Sequence, residues 1–160
     1  MKAYQCPVCS MAVTDSRVTS IRHGRIYHFC SQQCLENFSA HPRLYLAGKT
    51  QEHKRARVLK KRVFMLDAPV AQEEMHSLEL FLSEMMGVHL VHIAAAKISI
   101  TYDLLEATAL QIEQAIEQQG AKVSANWIAR LKRGWVHYTE ETELDNLAAP
   151  DPACCNKAPK

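Results

Sequence analysis

Four cysteines fall within the first 34 residues, as Cys6-Pro7-Val8-Cys9 and Cys30-Ser31-Gln32-Gln33-Cys34. A CxxC pair sits on a tight knuckle that aims both sulfurs at one point, and Pro7 helps to fix that turn. A CxxxC pair suits the first turn of a helix, where positions i and i+4 share a face. The spacing is that of one tetrahedral metal site rather than a disulfide framework, and four thiolates close the coordination shell of a zinc-like ion.

A chain of 160 residues makes one ordinary domain or two small ones. Its net charge of +2 gives no strong field for nucleic acid or an anionic membrane. The start, Met1-Lys2-Ala3-Tyr4-Gln5-Cys6, lacks the apolar run of a signal peptide, and no later stretch approaches the ~20 apolar residues that span a bilayer. These features place the protein in the cytoplasm without membrane insertion. In that reducing compartment clustered cysteines point to metal or redox chemistry.

Residues 1–47 form a unit rich in cysteine and aromatic side chains, too short to bury much apolar surface, so a bound metal would supply much of its folding free energy. Residues 48–57 are polar and read as a linker. Residues 58–124 alternate strand and helix. Arg62–Leu66 is strand-like, and Gln72–Met86 carries Met75, Leu78, Leu82, Met85 and Met86 at helical spacing. Gly87 stops that helix. Val88–Ile93 and Lys97–Tyr102 read as strands joined at Ala94-Ala95-Ala96, and Thr108–Gln119 reads as a helix with Leu110, Ile112, Ala115 and Ile116 inward. Ala121–Ser124 is the fourth expected strand. The fold class is therefore α+β, with a small N-terminal metal-binding module followed by a βαββαβ ferredoxin-like domain.

Residues 125–147 predict a C-terminal helical extension, capped by Asn126, in which Trp127, Leu131, Trp135 and Tyr138 recur at helical steps. Gly134 weakens it, and a second short helix is expected from Thr139. This extension either closes the sheet or pairs subunits, and a homodimer through the sheet or the helix is open. Residues 148–160 form a tail without a core pattern that carries Cys154-Cys155. That pair either chelates a soft ion as an auxiliary site or has no function.

The run Cys6-Pro7-Val8-Cys9-Ser10-Met11-Ala12-Val13, then Gly24 to Cys34, then Phe38, Pro42, Tyr45 and Leu46, resembles a YHS or TRASH domain. These treble-clef-like modules recur in copper-transporting ATPases and in metal sensors and resistance proteins. Ser10 stands where the family commonly has Gly. The resemblance implies metal handling through Cys6, Cys9, Cys30 and Cys34 but leaves the ion open between Zn2+ and Cu+. Met11 and His28 are either auxiliary ligands or, respectively, packing under the knuckle and a surface strand residue.

Leu78 to Val88, Lys97 to Asp103 and Ile112 to Gly120 are similar to the heavy-metal-associated domain of copper chaperones. In that family a Met-x-Cys-x-x-Cys loop captures the ion. The aligned positions here are Ala71 and Glu74, so this module would be degenerate, with the scaffold kept and the thiols lost. Glu73 and Glu74 then serve the helix dipole. His89 and His92, three apart on a strand, point to opposite faces and do not chelate one ion.

Lys54, Arg55, Arg57, Lys60, Lys61 and Arg62 form a basic cluster, but no aromatic side chains interleave with them, which argues against nucleic acid. The leading expectation is a cytoplasmic metal-binding accessory protein in copper trafficking, sensing or resistance, a metallochaperone whose partner is a metal-transporting ATPase or other metal-handling protein. The alternative is a protein-interaction adapter with a purely structural zinc. A thiol redox role for Cys6 and Cys9 lacks a thioredoxin-like context, and no catalytic residues emerge, so no enzyme is expected.

Overall fold

The computed structural model describes residues 4–14, 18–46 and 57–149. The first unit opens with a short antiparallel pair, β1 (Tyr4–Gln5) and β2 (Ala12–Val13), that brackets the CxxC knuckle. A hairpin follows, β3 (Val18–Arg22) with β4 (Arg25–Phe29). Its two-residue turn needs a left-handed backbone at both positions, and His23 and Gly24 have φ of 48° and 74°. Two helices complete the unit, α1 (Gln32–Ala40) and α2 (Pro42–Leu46). Val8, Val13, Phe29 and Phe38 bury themselves together with Cys6 and Cys34, so two of the cysteines are part of the apolar core.

The second unit is a three-stranded antiparallel sheet in the order β5-β7-β6, formed by β5 (Leu59–Met65), β6 (Val88–Ala94) and β7 (Lys97–Asp103). β5 and β6 join through α3 (Gln72–Glu84), while α4 (Ala109–Gln118) follows β7. Phe64, Val91, Ile98, Ile100 and Tyr102 face Leu78 and Leu82 of α3 and Ile112, Ala115 and Ile116 of α4. The other sheet face stays in solvent, with Leu59, Val63, Met65 and Leu90 exposed. That one-sided alternation is the period-two signature of an antiparallel sheet with one covered face.

The β6–β7 turn falls where expected, with Ala95 at φ 50°. α4 begins with a capping box between Thr108 and Gln111, which satisfies two backbone donors that the helix start would leave open. The strand expected at Ala121–Ser124 is reduced to one antiparallel bridge, Leu66 with Val123, extended by Ser124 N–H to the Met65 carbonyl (2.7 Å). Pairing stops there because Ala125 and Asn126 turn into the next helix. Leu110, expected inward, is exposed, and the buried positions of α4 are Ala109, Ile112, Glu113, Ala115 and Ile116.

The C-terminal extension is one helix, α5 (Trp127–Ala148), not two. Asn126 caps it as expected by accepting the Ile128 N–H. Gly134 does not break it because the opposite face docks on both sides of that position. Arg133 lies 3.4 Å from Glu113, and further along Val136, Glu140, Leu144 and Leu147 reach the core. Leu131, Trp135 and Tyr138 point away and are about two-thirds exposed or more, at 70%, 69% and 66%. Thus the aromatic period marks the outer face of α5. The basic stretch of β5 is explained by the same docking, with Lys60 Nζ 2.6 Å from Glu143 and Arg62 Nε 3.5 Å from Glu140. Lys54 and Arg55 lie outside the described residues.

The two units are joined by α1 and α2, with Leu44 of α2 buried in the core of the second. Asn37 donates from Nδ2 to the Glu106 carbonyl (2.7 Å) and accepts at Oδ1 from Gln111 Nε2 (2.7 Å). Gln33 Nε2 donates to the carbonyls of Glu106 (2.8 Å) and Met86 (3.2 Å), and the Tyr45 hydroxyl donates to the Leu105 carbonyl (3.0 Å). These bonds fall on the loops at the ends of α3 and β7, whose carbonyls no helix or sheet ladder satisfies. No described helix is long and apolar enough to cross a membrane.

Candidate metal centre

The knuckle is closed by two backbone bonds, Cys6 N–H to the Met11 carbonyl and Ser10 N–H to the Cys6 carbonyl, both 2.9 Å. This return requires a left-handed residue, and Ser10 supplies it at φ 65°. A non-glycine residue costs roughly 1 kcal/mol there, which is why a glycine suits the position. The second pair is arranged around a helix start. Ser31 is the N-cap of α1, its Oγ accepting the Cys34 N–H at 3.2 Å, so Cys30 precedes the cap and Cys34 lies in the first turn. Cys30 is thus outside the helix, not in its first turn as its spacing suggested. The positive end of the α1 dipole faces the sulfur cluster.

All four sulfurs lie within 4.8 Å of one another. Cys9 and Cys30 are 3.3 Å apart, Cys30 and Cys34 3.5 Å, and Cys9 and Cys34 3.8 Å. A tetrahedral zinc with Zn–S bonds of about 2.3 Å needs sulfurs about 3.8 Å apart, so the donor set fits a four-sulfur ion with small adjustments. Cys6 and Cys34 are fully buried, Cys9 is half-buried, and Cys30 is the most accessible. One side of the cluster is therefore anchored in the core and the other is open to solvent.

Protons are shared unevenly among these thiols. Hydrogen bonds from Cys34 and then Cys9 hold the Cys6 thiol far below its ordinary value. The same bond to Cys6, followed by Cys9 and burial, pushes Cys34 far up. Cys9 gains from its bond to Cys34, but Cys6, burial and Cys30 outweigh that gain and push it up to about 12.

The other expected ligands stand apart. Met11 offers its carbonyl to the knuckle, but its side chain is 57% exposed, so it does not pack beneath the turn. His28 stacks on Tyr4, ring centroids 3.7 Å apart, and joins no ligand group. Among the described residues the four cysteines form the one cluster of His, Cys, Asp and Glu able to hold an ion, and it includes neither Glu73 and Glu74 nor His89 and His92. Both histidines are exposed, and the register of β6 shifts at His89. Cys154 and Cys155 lie outside the described residues.

Met86, expected in the core of its own unit, instead packs against the cysteine cluster, with Sδ 3.4 Å from Cys34 Sγ. Helical period placed it with Met75 and Met85, but α3 ends at Glu84 and the chain turns before Met86. No spacing within either unit signals this approach.

Two comparisons agree with the geometry. The YHS domain family matches residues 4–49. A copper-transporting P-type ATPase of Rhizobium leguminosarum bv. viciae is 47% identical over 45 residues, which is 27% of this chain and 5% of that protein. The chain thus spans a small fraction of the length of the relative it matches.

Proposed function

We propose that this protein binds and passes on a heavy-metal ion, copper before others, through Cys6, Cys9, Cys30 and Cys34. The observation that carries the reading is the half-open sulfur cluster, with Cys6 and Cys34 anchored in the core and Cys30 exposed. In this reading Cys6 and Cys34 hold the cargo while Cys9 and Cys30 give way to an incoming thiolate, one sulfur at a time. The YHS match and the likeness to a copper-transporting ATPase support copper as cargo and such an ATPase as partner.

The second unit serves as a docking scaffold of the ferredoxin-like, heavy-metal-associated type, acting by binding rather than catalysis. Its βαββα order supports this, as does its remnant fourth strand pairing beside β5. The aligned loop positions, Ala71 and Glu74, are exposed and carry no thiol. A second reading, an adapter with a structural zinc, is favoured by the burial of Cys6 and Cys34.

Metal content after expression with and without added copper separates the two. The cargo reading expects copper in the copper-supplied sample, reduced in Cys30→Ser while the far-ultraviolet circular dichroism is retained. Zinc alone under both conditions, at one ion per chain, would establish the adapter instead.

A further inference from the structure

We propose that Met86 is a fifth sulfur ligand, delivered to the cysteine cluster by the second unit, and that it biases the site toward a soft monovalent ion such as Cu(I). The inference rests on the metal-handling reading of the same cysteines. Met86 Sδ is 3.4 Å from Cys34 Sγ, a separation as short as those among the cysteines themselves. It belongs to the apolar cluster of Cys6 and Cys34, not to the core of its own unit.

Three features hold it there. Gln33, inside the CxxxC segment, donates to the Met86 carbonyl at 3.2 Å and so ties the thiol helix to the backbone of the thioether residue. Gly87 follows at φ 82°, and a Cβ at that position would sit 2.8 Å from Glu106 Cβ. The Gly87 carbonyl in turn accepts the Asp103 N–H (2.8 Å) at the end of β7. The methionine is therefore placed by a side-chain bond from the first unit and a backbone bond within the second, more than ordinary core filling requires.

The chemistry of the ligand gives the selectivity. Thioether sulfur is neutral and soft, a good donor to Cu(I) and a poor one to Zn2+. Four thiolates around a monovalent ion leave more surplus negative charge than around a divalent one. Cu(I) is satisfied by two or three sulfurs, so Cys34, one further cysteine and Met86 can form its set with less charge to bury. A divalent ion gains nothing from the exchange and keeps the four thiolates.

The test uses the full chain with methyl-labelled methionine. On titration with Cu(I), the Met86 methyl resonance, assigned by its absence in Met86→Leu, is expected to move, and on titration with Zn2+ it is expected to stay near its place. Competition against a Cu(I) chelator should show Met86→Leu losing about tenfold in Cu(I) affinity relative to any change in zinc affinity, the size typical of a supporting metal contact. Met85→Leu, which alters the neighbouring thioether packed on the other core, is the control and should match wild type for both ions. Cu(I) bound in a cysteine-dependent way with a silent Met86 methyl and an unchanged Met86→Leu affinity would overturn the inference and leave the metal reading intact. Cu(I) uptake unaffected by Cys34→Ser would overturn both.

Discussion

Cys34→Ser is expected to abolish metal retention and to unfold the first unit, a larger effect than any single change on the second unit. Cys34 is fully buried, in sulfur contact with Cys9, Cys30 and Met86, and sits in the first turn of α1. Serine leaves a hydroxyl in an apolar cluster, costing about 1–3 kcal/mol where no partner receives it. It also removes the ligand that binds the ion to the core, and structural zinc binding is worth roughly 10–16 kcal/mol of folding free energy in small finger peptides. The loss should spread, because Gln33, Asn37 and Tyr45 hold the second unit from the same pair of helices. Metal analysis and thermal denaturation together check the outcome. Wild-type metal content and an unchanged midpoint would show that Cys34 is neither ligand nor staple. Cys30→Ser, at the accessible edge, should weaken metal binding but leave these helices folded.

The second large effect lies away from the sulfurs. Glu140 of α5 is 2% exposed and accepts bonds from the Tyr102 hydroxyl and, at 2.8 Å, from the Ala109 N–H at the start of α4. Arg62 Nε stands 3.5 Å from the same carboxylate, in ion-pair range though without hydrogen-bond geometry. One side chain thus ties β5, β7, α4 and α5 together. Burial, and next the bond to Glu140, push the Tyr102 hydroxyl well above its ordinary range, so it remains a donor at any physiological pH. Glu140→Ala leaves a buried hydroxyl, an amide and a cation without their shared acceptor, and about 3–5 kcal/mol is expected to be lost. Glu140→Gln keeps an acceptor oxygen and should lose less. Chemical denaturation measures both, and an alanine variant within ~0.5 kcal/mol of wild type would show that α5 is held by apolar contacts alone.

The sequence made some of this architecture legible because certain elements are locally determined. Cys6, Cys9, Cys30 and Cys34 converge as their spacing implied, and α3, β6, β7 and α4 fall within a few residues of their periodic segments. Gly120 adopts the left-handed backbone that ends α4, whereas α3 stops at Glu84, before the Gly87 expected to end it. What escaped is tertiary. The outward face of α5 misled because aromatic side chains at helical steps look like a buried stripe, while its inward face carries Glu140 and Glu143, paired with β5 and β7. Strand period cannot show that Ala121–Ser124 would pair at only one position. Likewise Met86 reaches Cys34 only because Gln33 and Asn37 dock α1 on loops more than 50 residues away in sequence.

Thiol alkylation mapped by mass spectrometry tests the central claim most directly, since it reads each cysteine of the chain separately. With one equivalent of Zn2+, Cys6, Cys9, Cys30 and Cys34 are expected to be protected together, and Cys30, the most accessible, should show the largest fall in rate on metal addition. Alkylation of Cys9 and Cys30 at the same rate with and without the ion would contradict a four-cysteine metal centre.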